Sequence, residues 1–599
     1  MHDIVIRDGL VIDGTGRASR RADVAVDGDR VVEVGRVDGR GRRQVDAAGL
    51  AVTPGWIDIH THLDAQLLWD DAMLQSAAHG VTSVVMGNCG VGIAPVRAAD
   101  QGWILDLLDG VEDISAATMS EVLDFSWETF EEYLDVIDRG RYAFDVAAHV
   151  PHSAVRRFVM GEAGADPRAT PTSEDISAMA TEVERALRAG AIGFSTSRTA
   201  NHRERSSGAP IGTMSATADE LVGIAAACRT PGLGVIQLIS DAYQSADPGY
   251  VAAELALVQG LGRLERPVSM SLLQLNSEPD RYGEILGHLD RIHAGGGNVF
   301  AQVAPRPISG AYAAGARAHP LMRSVAYRAA IAERSVLGAD PLRDVDPRSV
   351  VVGEVHESIG RGKTPAPDFD SIFPMADPPD YSPRPEDSLG ALARAAGTSP
   401  IEVLYDITTA APTDDAVIYT PFANFATGDL SAVRRMLTSP RALFGLSDSG
   451  AHSRTICDAS FPTFVLSYWA RDTPLDPIPV EYLVHCQTRR QAVYLGWHDR
   501  GLIAPGYLAD INIIDLETIG VRRPRLVHDL PGGGPRYLQS ADGYRTTLKR
   551  GEVLTEAGEL TDPRPGRLVR GPQPPPTRTL RRKGDRPARS TTASAELRP

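Results

Sequence analysis

In the run Thr53-Pro54-Gly55-Trp56-Ile57-Asp58-Ile59-His60-Thr61-His62-Leu63-Asp64, two histidines stand one residue apart. Side chains two apart on a strand project from the same side. His60 and His62 can therefore both turn toward one ion at the strand's end, where neutral imidazole suits Zn2+ or a similar divalent metal. A second run, Gly80-Val81-Thr82-Ser83-Val84-Val85-Met86-Gly87-Asn88-Cys89-Gly90, is β-branched and ends in a glycine-flanked cysteine. Cys89 is either a small buried side chain in a tight turn or a thiolate ligand. A third, Leu443-Phe444-Gly445-Leu446-Ser447-Asp448-Ser449-Gly450-Ala451-His452, reads as an apolar strand that delivers a carboxylate into a turn. Asp448 is either a turn cap or a group that handles a proton.

These residues need a scaffold that brings strand ends together. From about Pro54 to Arg490 the chain alternates buried-strand and helix signals. Thr172 and Asp175 open one helix, Ile176, Met179, Val183 and Leu187 recur on its face, and Gly190 ends it before the strand-like Ala191-Ile192-Gly193-Phe194-Ser195. Thr217 and Glu220 open the next, followed by Gly234-Val235-Ile236-Gln237-Leu238-Ile239. Repeated units of this kind favour a parallel α/β barrel over an open sheet. Both chain ends differ from this middle. Asp3–Ile6, Gly9–Ile12, Asp23–Val26 and Arg30–Val34 read as short strands joined by turns at Asp-Gly and Gly-Asp, and Gly506–Asp515 and Tyr544–Leu554 have the same character. Residues 1–53 and 491–562 are thus expected to close one composite β domain, a sandwich, around a barrel at 54–490. Residues 341–385, rich in Pro, Asp and Gly, read as a loop-dominated insertion and a place for a lid.

The three runs together resemble the amidohydrolase superfamily, and in particular its N-acyl-D-amino-acid deacylase (D-aminoacylase) branch, over residues 1 to about 555. The resemblance implies a (β/α)8 TIM-like barrel and a metal-dependent hydrolase of C–N amide bonds in N-acylated (D-)amino acids or similar small amides. It implies a divalent metal, Zn2+ first, held by His60, His62 and Cys89, with Asp448 handling the proton of the attacking water. Pro505-Gly506-Tyr507-Leu508-Ala509-Asp510-Ile511 is similar to the family's return into its β domain.

The branch normally supplies two further histidines from successive middle strands. The corresponding stretches here, Val235–Asp241 and Ser269–Asn276, carry Gln237 and Gln274 instead. Amides bind Zn2+ poorly beside imidazole or thiolate. The two glutamines are read as weak oxygen ligands, substrate-binding amides or satisfied core groups. The only lysines are Lys363, Lys549 and Lys583, so no carboxylated lysine stands on a middle strand. His149, His152, His202, His356 and His452 are further imidazoles that loops could bring to a cavity. Arg198, His202 and Arg203 follow a strand, and with Arg306 they are candidates to grip a substrate carboxylate through paired hydrogen bonds, or else they pair with acidic loop residues. A divergent hydrolase or lyase with a reduced metal site, and a non-catalytic barrel, remain the alternatives.

Composition narrows the partners. Of 599 residues, 43% are hydrophobic and 23% charged, as in an ordinary globular protein. The net charge of -16 divides into a tail of +8 over residues 563–599 and a body of -24. An acidic body disfavours nucleic acid, and neither a Walker A loop nor a strand-linked GxGxxG is present. No long apolar run or signal peptide is seen, so a cytoplasmic protein with a small-molecule substrate and no membrane partner is expected, with homo-oligomerisation left open. Cys89, Cys228, Cys457 and Cys486 are too few and too scattered for a disulfide framework. The Pro-, Arg- and Ser/Thr-rich segment 563–599 is expected to be a disordered basic tail.

Overall fold

The computed structural model describes residues 1–229, 232–337, 348–361, 366–411 and 414–577. Eight parallel strands form the barrel sheet: β1 (Trp56–Asp58), β2 (Val81–Met86), β3 (Asp145–Pro151), β4 (Gly193–Arg198), β5 (Val235–Ser240), β6 (Val268–Leu272), β7 (Val299–Val303) and β8 (Ala442–Phe444). They are hydrogen-bonded in chain order from β1 to β8. The first and last strands meet beyond their ends, where the His62 amide donates to the Ser449 carbonyl at 2.8 Å and Thr61 bridges Ser449. That seam is what joins the His60-x-His62 run to the Asp448 run.

Helices form where their local signals stand. Ser173–Ala189 begins with a reciprocal Thr172–Asp175 capping box, buries Met179, Val183, Ala186 and Leu187, and ends at Gly190 with φ 116°. Thr217 caps Ala218–Ala225 by accepting the Glu220 amide. The Glu220 side chain turns inward instead, to the buried Arg156 guanidinium at 2.9 Å.

The chain ends share one nine-stranded sheet. Ala51–Pro54 pairs in parallel with His2–Val11 and antiparallel with Ile511–Ile514, which continues to Tyr544–Lys549. Ile6, Val24, Val52, Ile511, Ile513 and Leu548 bury a core between them. Residues 3–12, expected as two strands, are one strand with an irregularity between Ile6 and Gly9. Asp8, at φ 53°, forms a bulge where a turn was expected, because pairing with Arg20–Asp27 continues on both sides of it.

Two further sequence expectations change. Between β7 and β8 the chain builds a layer with strands Ile308–Ala313, Phe373–Pro374 and Ala416–Ala423 and a core including Tyr327, Val351, Val355, Leu404 and Ile418. Within the 341–385 stretch, Arg348–Gly360 is a helix rather than loop, because Val351 and Val355 stand one turn apart and both are buried. Residues 341–347 and 362–365 lie outside the described residues.

The basic tail is also ordered in its first part. Gly566 pairs with Tyr142, the Arg567 amide donates to Asp145 at 3.0 Å, and Arg570 reaches Asp135 at 2.7 Å. Leu568 and Val569 are buried. This strap borrows its hydrogen bonds and counter-charges from the barrel, which local composition does not reveal; residues 578–599 lie outside the described residues. No helix among the described residues is long and apolar enough to cross a membrane.

Candidate active site

The strand ends place the chemistry at one mouth. His60 and His62 follow β1, Cys89 follows β2, His202 follows β4, and Asp448 follows β8, all at the C-terminal side where barrels of this kind put reactive groups. Only glycine fits the turn that carries Cys89. Gly87 has φ 73°, and a Cβ there would lie 2.6 Å from the His149 carbonyl oxygen. Four non-glycine residues around the site, Cys89, Leu446, Asp448 and His452, also have positive φ, between 47° and 60°. Backbone strain concentrated in this way is typical of sites whose geometry the surroundings impose.

The histidine rings are oriented from behind. Nδ1–H of His60 donates to Gln302 Oε1 at 2.6 Å, and the Gln302 amide donates in turn to Ser269 Oγ at 2.9 Å. Nδ1 of His62 lies 3.2 Å from Glu112 Oε1. With each Nδ1 engaged by a side-chain oxygen, each Nε2 keeps its lone pair for the cavity. His60 Nε2 lies 3.2 Å from Cys89 Sγ and 3.2 Å from Asp448 Oδ1, and His62 Nε2 lies 3.8 Å from the same carboxylate oxygen. One ligand atom each from His60, His62 and Cys89 falls within 4.8 Å of the others. Two imidazoles, a thiol and a carboxylate on one point are a donor set that fits a divalent ion of the Zn2+ kind.

Electrostatics fit a bound cation at three of these four groups. At His62 burial acts to lower the pKa, but Glu112 and Asp448 raise it well above the usual histidine value, so this ring must give up its proton to a metal. Burial pushes the His60 pKa down to about 4, so the ring is neutral. Burial pushes the Cys89 thiol up to about 12, so it becomes a thiolate only together with a cation. Burial also acts to raise Asp448, yet His62, His60 and His452 hold it well below the usual carboxylate range. It is ionised.

Comparison with known proteins gives the chain a family. The sequence model of the Amidohydrolase family matches residues 43–555. The chain belongs to the amidohydrolase family. D-aminoacylase of Alcaligenes xylosoxydans xylosoxydans is 39% identical over 195 residues, 32% of this chain and 37% of that protein. N-acyl-D-aspartate deacylase of the same organism is 37% identical over 195 residues, 32% of this chain and 36% of that protein. The aligned segments thus span little more than a third of those relatives. A D-aminoacylase structure described by its binuclear metal centre superposes with TM-score 0.62 at 25% identity, covering 95% of this chain and 100% of that one. N-acyl-D-glutamate deacylase of Bordetella bronchiseptica, solved with zinc and a phosphonate mimic of the tetrahedral intermediate, has the same fold. It superposes with TM-score 0.61 at 24% identity over 95% of this chain and 99% of that one.

This amidohydrolase brings together some of the expected site residues and not others. His60, His62, Cys89, His202 and Asp448 line one cavity. Gln237 stands just below it, its Oε1 accepting the Cys89 amide at 2.8 Å while its Nε2 has no partner. Gln274 is a correction. Its side chain is spent on the Pro279 carbonyl at 3.2 Å and the Ala426 amide at 3.2 Å, and Ser271 and Leu273 line the cavity in its place. The pleat explains this: a residue past the end of β6 is captured by the loop around Asn424, not by the barrel interior.

The arginines are corrections too. Arg198 is held by Glu254 at 2.7 Å. Arg306 is buried against Asp458 at 2.8 Å, with its guanidinium 3.9 Å from the Tyr381 ring centre. Arg203 is exposed and donates to the Gly208 carbonyl at 2.9 Å. Of the further histidines His202 and His452 line the cavity; His149 and His152 are buried outside its lining and His356 is exposed. Sequence reasoning missed Glu112 and Gln302. Gln302 had a signal, as the lone polar residue of Val299–Val303; Glu112, just past the helix Gln101–Val111, had none.

Proposed function

We propose that this amidohydrolase cleaves the C–N bond of an N-acylated D-amino acid or a similar small amide. His60, His62 and Cys89 would hold a divalent metal, Zn2+ first, and Asp448 would carry the proton. The observation that carries the reading is the convergence of both Nε2 atoms on Cys89 Sγ and Asp448 Oδ1. A divalent ion in that set supplies Lewis acidity to the substrate carbonyl and acidifies water.

The chain's own groups do the rest. Asp448, ionised and within reach of the cavity, accepts a proton from the attacking water and returns it to the leaving nitrogen. Gln302 and Glu112 keep both imidazoles in the tautomer that leaves Nε2 free. Ser197 Oγ, 2.8 Å from His202 Nδ1, fixes a third imidazole in the cavity wall, where it can meet the substrate carbonyl region.

The test is amine release from N-acyl substrates by the metal-reconstituted protein, with elemental analysis beside it. About one divalent ion per chain or less is expected. Asp448→Asn should fold normally, keep its metal and lose ~10²-fold or more in kcat. Absence of metal after reconstitution with Zn2+, Mn2+ and Co2+, or an unchanged kcat in Asp448→Asn, overturns the reading.

A further inference from the structure

The turn that follows β2 carries Cys89, and its shape is set from outside. Cys89 has φ 56° and ψ 17°, in the left-handed region that a residue with a side chain rarely adopts. Three amides of this turn are taken by side chains brought from other parts of the barrel. The Gly87 amide donates to Asp64 Oδ2 at 3.0 Å, the Cys89 amide to Gln237 Oε1 at 2.8 Å and the Gly90 amide to Ser195 Oγ at 3.0 Å. The Asn88 side-chain amide braces the turn by donating to the carbonyls of Thr61 at 3.1 Å and Val85 at 3.0 Å.

Gln237 and Ser195 are register partners on the neighbouring strands β5 and β4. Their side chains therefore leave the sheet on one face and take adjacent amides of the same turn. Ser195 has a second task, since its hydroxyl also donates to the Gly87 carbonyl. Gln237 has one. It is wholly buried, and among the described residues its Nε2 finds no partner. Leucine would fill nearly the same space in this apolar strand without burying an unpaired N–H, which is costly. Packing therefore does not account for a glutamine here, whereas the Cys89 amide does. Rotating the side-chain amide changes nothing, because only its oxygen can accept from a backbone N–H. What depends on this turn is the place of Cys89 Sγ, 3.2 Å from His60 Nε2.

We propose that Gln237 is a positioning residue of the metal centre: its Oε1 holds the Cys89 amide so that Sγ stands with His60 and His62 around one ion. This rests on the metal-centre reading above and adds to it the group that sets the thiol's place. Gln237 is absent from the cavity lining and acts through Cys89 alone. Without the acceptor, a left-handed Cys89 loses the hydrogen bond that offsets its strain, and the turn relaxes with Sγ drawn away from the two imidazoles.

The experiment titrates the full chain with Co2+ and with Zn2+. A thiolate on Co2+ gives a sulfur-to-metal charge-transfer absorption, which reports the Cys89 bond directly. Gln237→Leu should weaken that band and lower Zn2+ affinity ~10-fold or more in chelator competition, as loss of an outer partner of a metal ligand does. Gln237→Met, also apolar and of similar volume, takes its place if the leucine variant does not fold. In a Cys89→Ala background the same change should alter Zn2+ affinity by less than ~2-fold, because the ligand through which it acts is gone. An undiminished band with unchanged affinity overturns the inference. So does an equal loss in both backgrounds, which is what a general loosening of the barrel gives. Metal bound by the unaltered chain without a sulfur band overturns it while leaving a metal centre standing. A chain that binds neither ion removes the metal reading itself, and the inference with it.

Discussion

The two ends of the barrel use buried charge in opposite ways. At the start of β3, Asp145 is fully buried and meets Arg500 at 2.8 Å, Lys549 at 3.0 Å, Arg550 at 2.9 Å and the Arg567 amide at 3.0 Å. Its partners come from the segment after β8, the terminal sheet and the C-terminal strap, so one carboxylate ties three parts of the chain to the barrel. At the other end, the β1, β2 and β8 loops crowd His60, His62, Cys89, Glu112 and Asp448 together, Cys89 and Asp448 on backbone of positive φ, and Gln237 Nε2 and Ser271 Oγ have no protein partner. A saturated cluster makes a rigid joint, whereas an unsaturated one keeps its hydrogen-bonding capacity for something that binds. Stability and reactivity thus sit at separate ends of the same strands.

The largest expected effect breaks the saturated end. Asp145→Asn takes from Lys549, Arg500 and Arg550 the carboxylate they share, leaving them only Asp510, Asp499 and Asp29, and should cost about 3–5 kcal/mol in chemical denaturation. Activity per folded molecule should be unchanged, since the mouth is untouched. Burial alone would raise the Asp145 pKa, but Lys549, Arg500 and Arg550 outweigh it and hold it below the ordinary 3.8. A depressed carboxylate stabilises the fold above its unfolded pKa and loses that contribution as pH falls through the folded value. The unaltered protein should therefore lose stability below pH 3.8 more steeply than the variant, and parallel acid profiles would show that the cluster contributes nothing special.

A middling effect is expected where the mouth is supported from behind. Gln302→Leu removes the acceptor that orients His60 and should lower metal affinity ~10–100-fold in a chelator competition, with little change in melting temperature. Unchanged affinity would mean that packing alone sets the ring. The smallest effect separates the site from its surroundings. Gln274→His should leave metal affinity unchanged and cost only about 1 kcal/mol of stability through the lost loop hydrogen bonds. A gain in metal affinity would show that position 274 does face the cavity.

Much of this was legible locally. The helix Ser173–Ala189 followed from Thr172, Asp175, the apolar spacing and Gly190, because caps and i, i+4 neighbours are set within a few residues. His60 and His62 came to face one point beside Cys89 for the same reason, and Asp448 fell past a strand end because its apolar run stops there. What the chain could not show in one dimension was which groups meet once the sheet curls. Gln302 reaches His60 across 242 residues, and Glu112 reaches His62 through a loop with no motif. Arg306 and Gln274 looked available, yet Asp458 and the loop at Asn424 claim them. The strap at 563–577 looked unable to fold alone, and alone it would be; its partners Asp135, Tyr142 and Asp145 lie more than four hundred residues earlier. Backbone preference and side-chain periodicity act over a turn or a strand, so sequence alone determined the elements and the reactive residue types. The pairing of buried polar groups depends on strands brought together by closure, so only the tertiary structure decided which of those residues have partners and which still face the cavity.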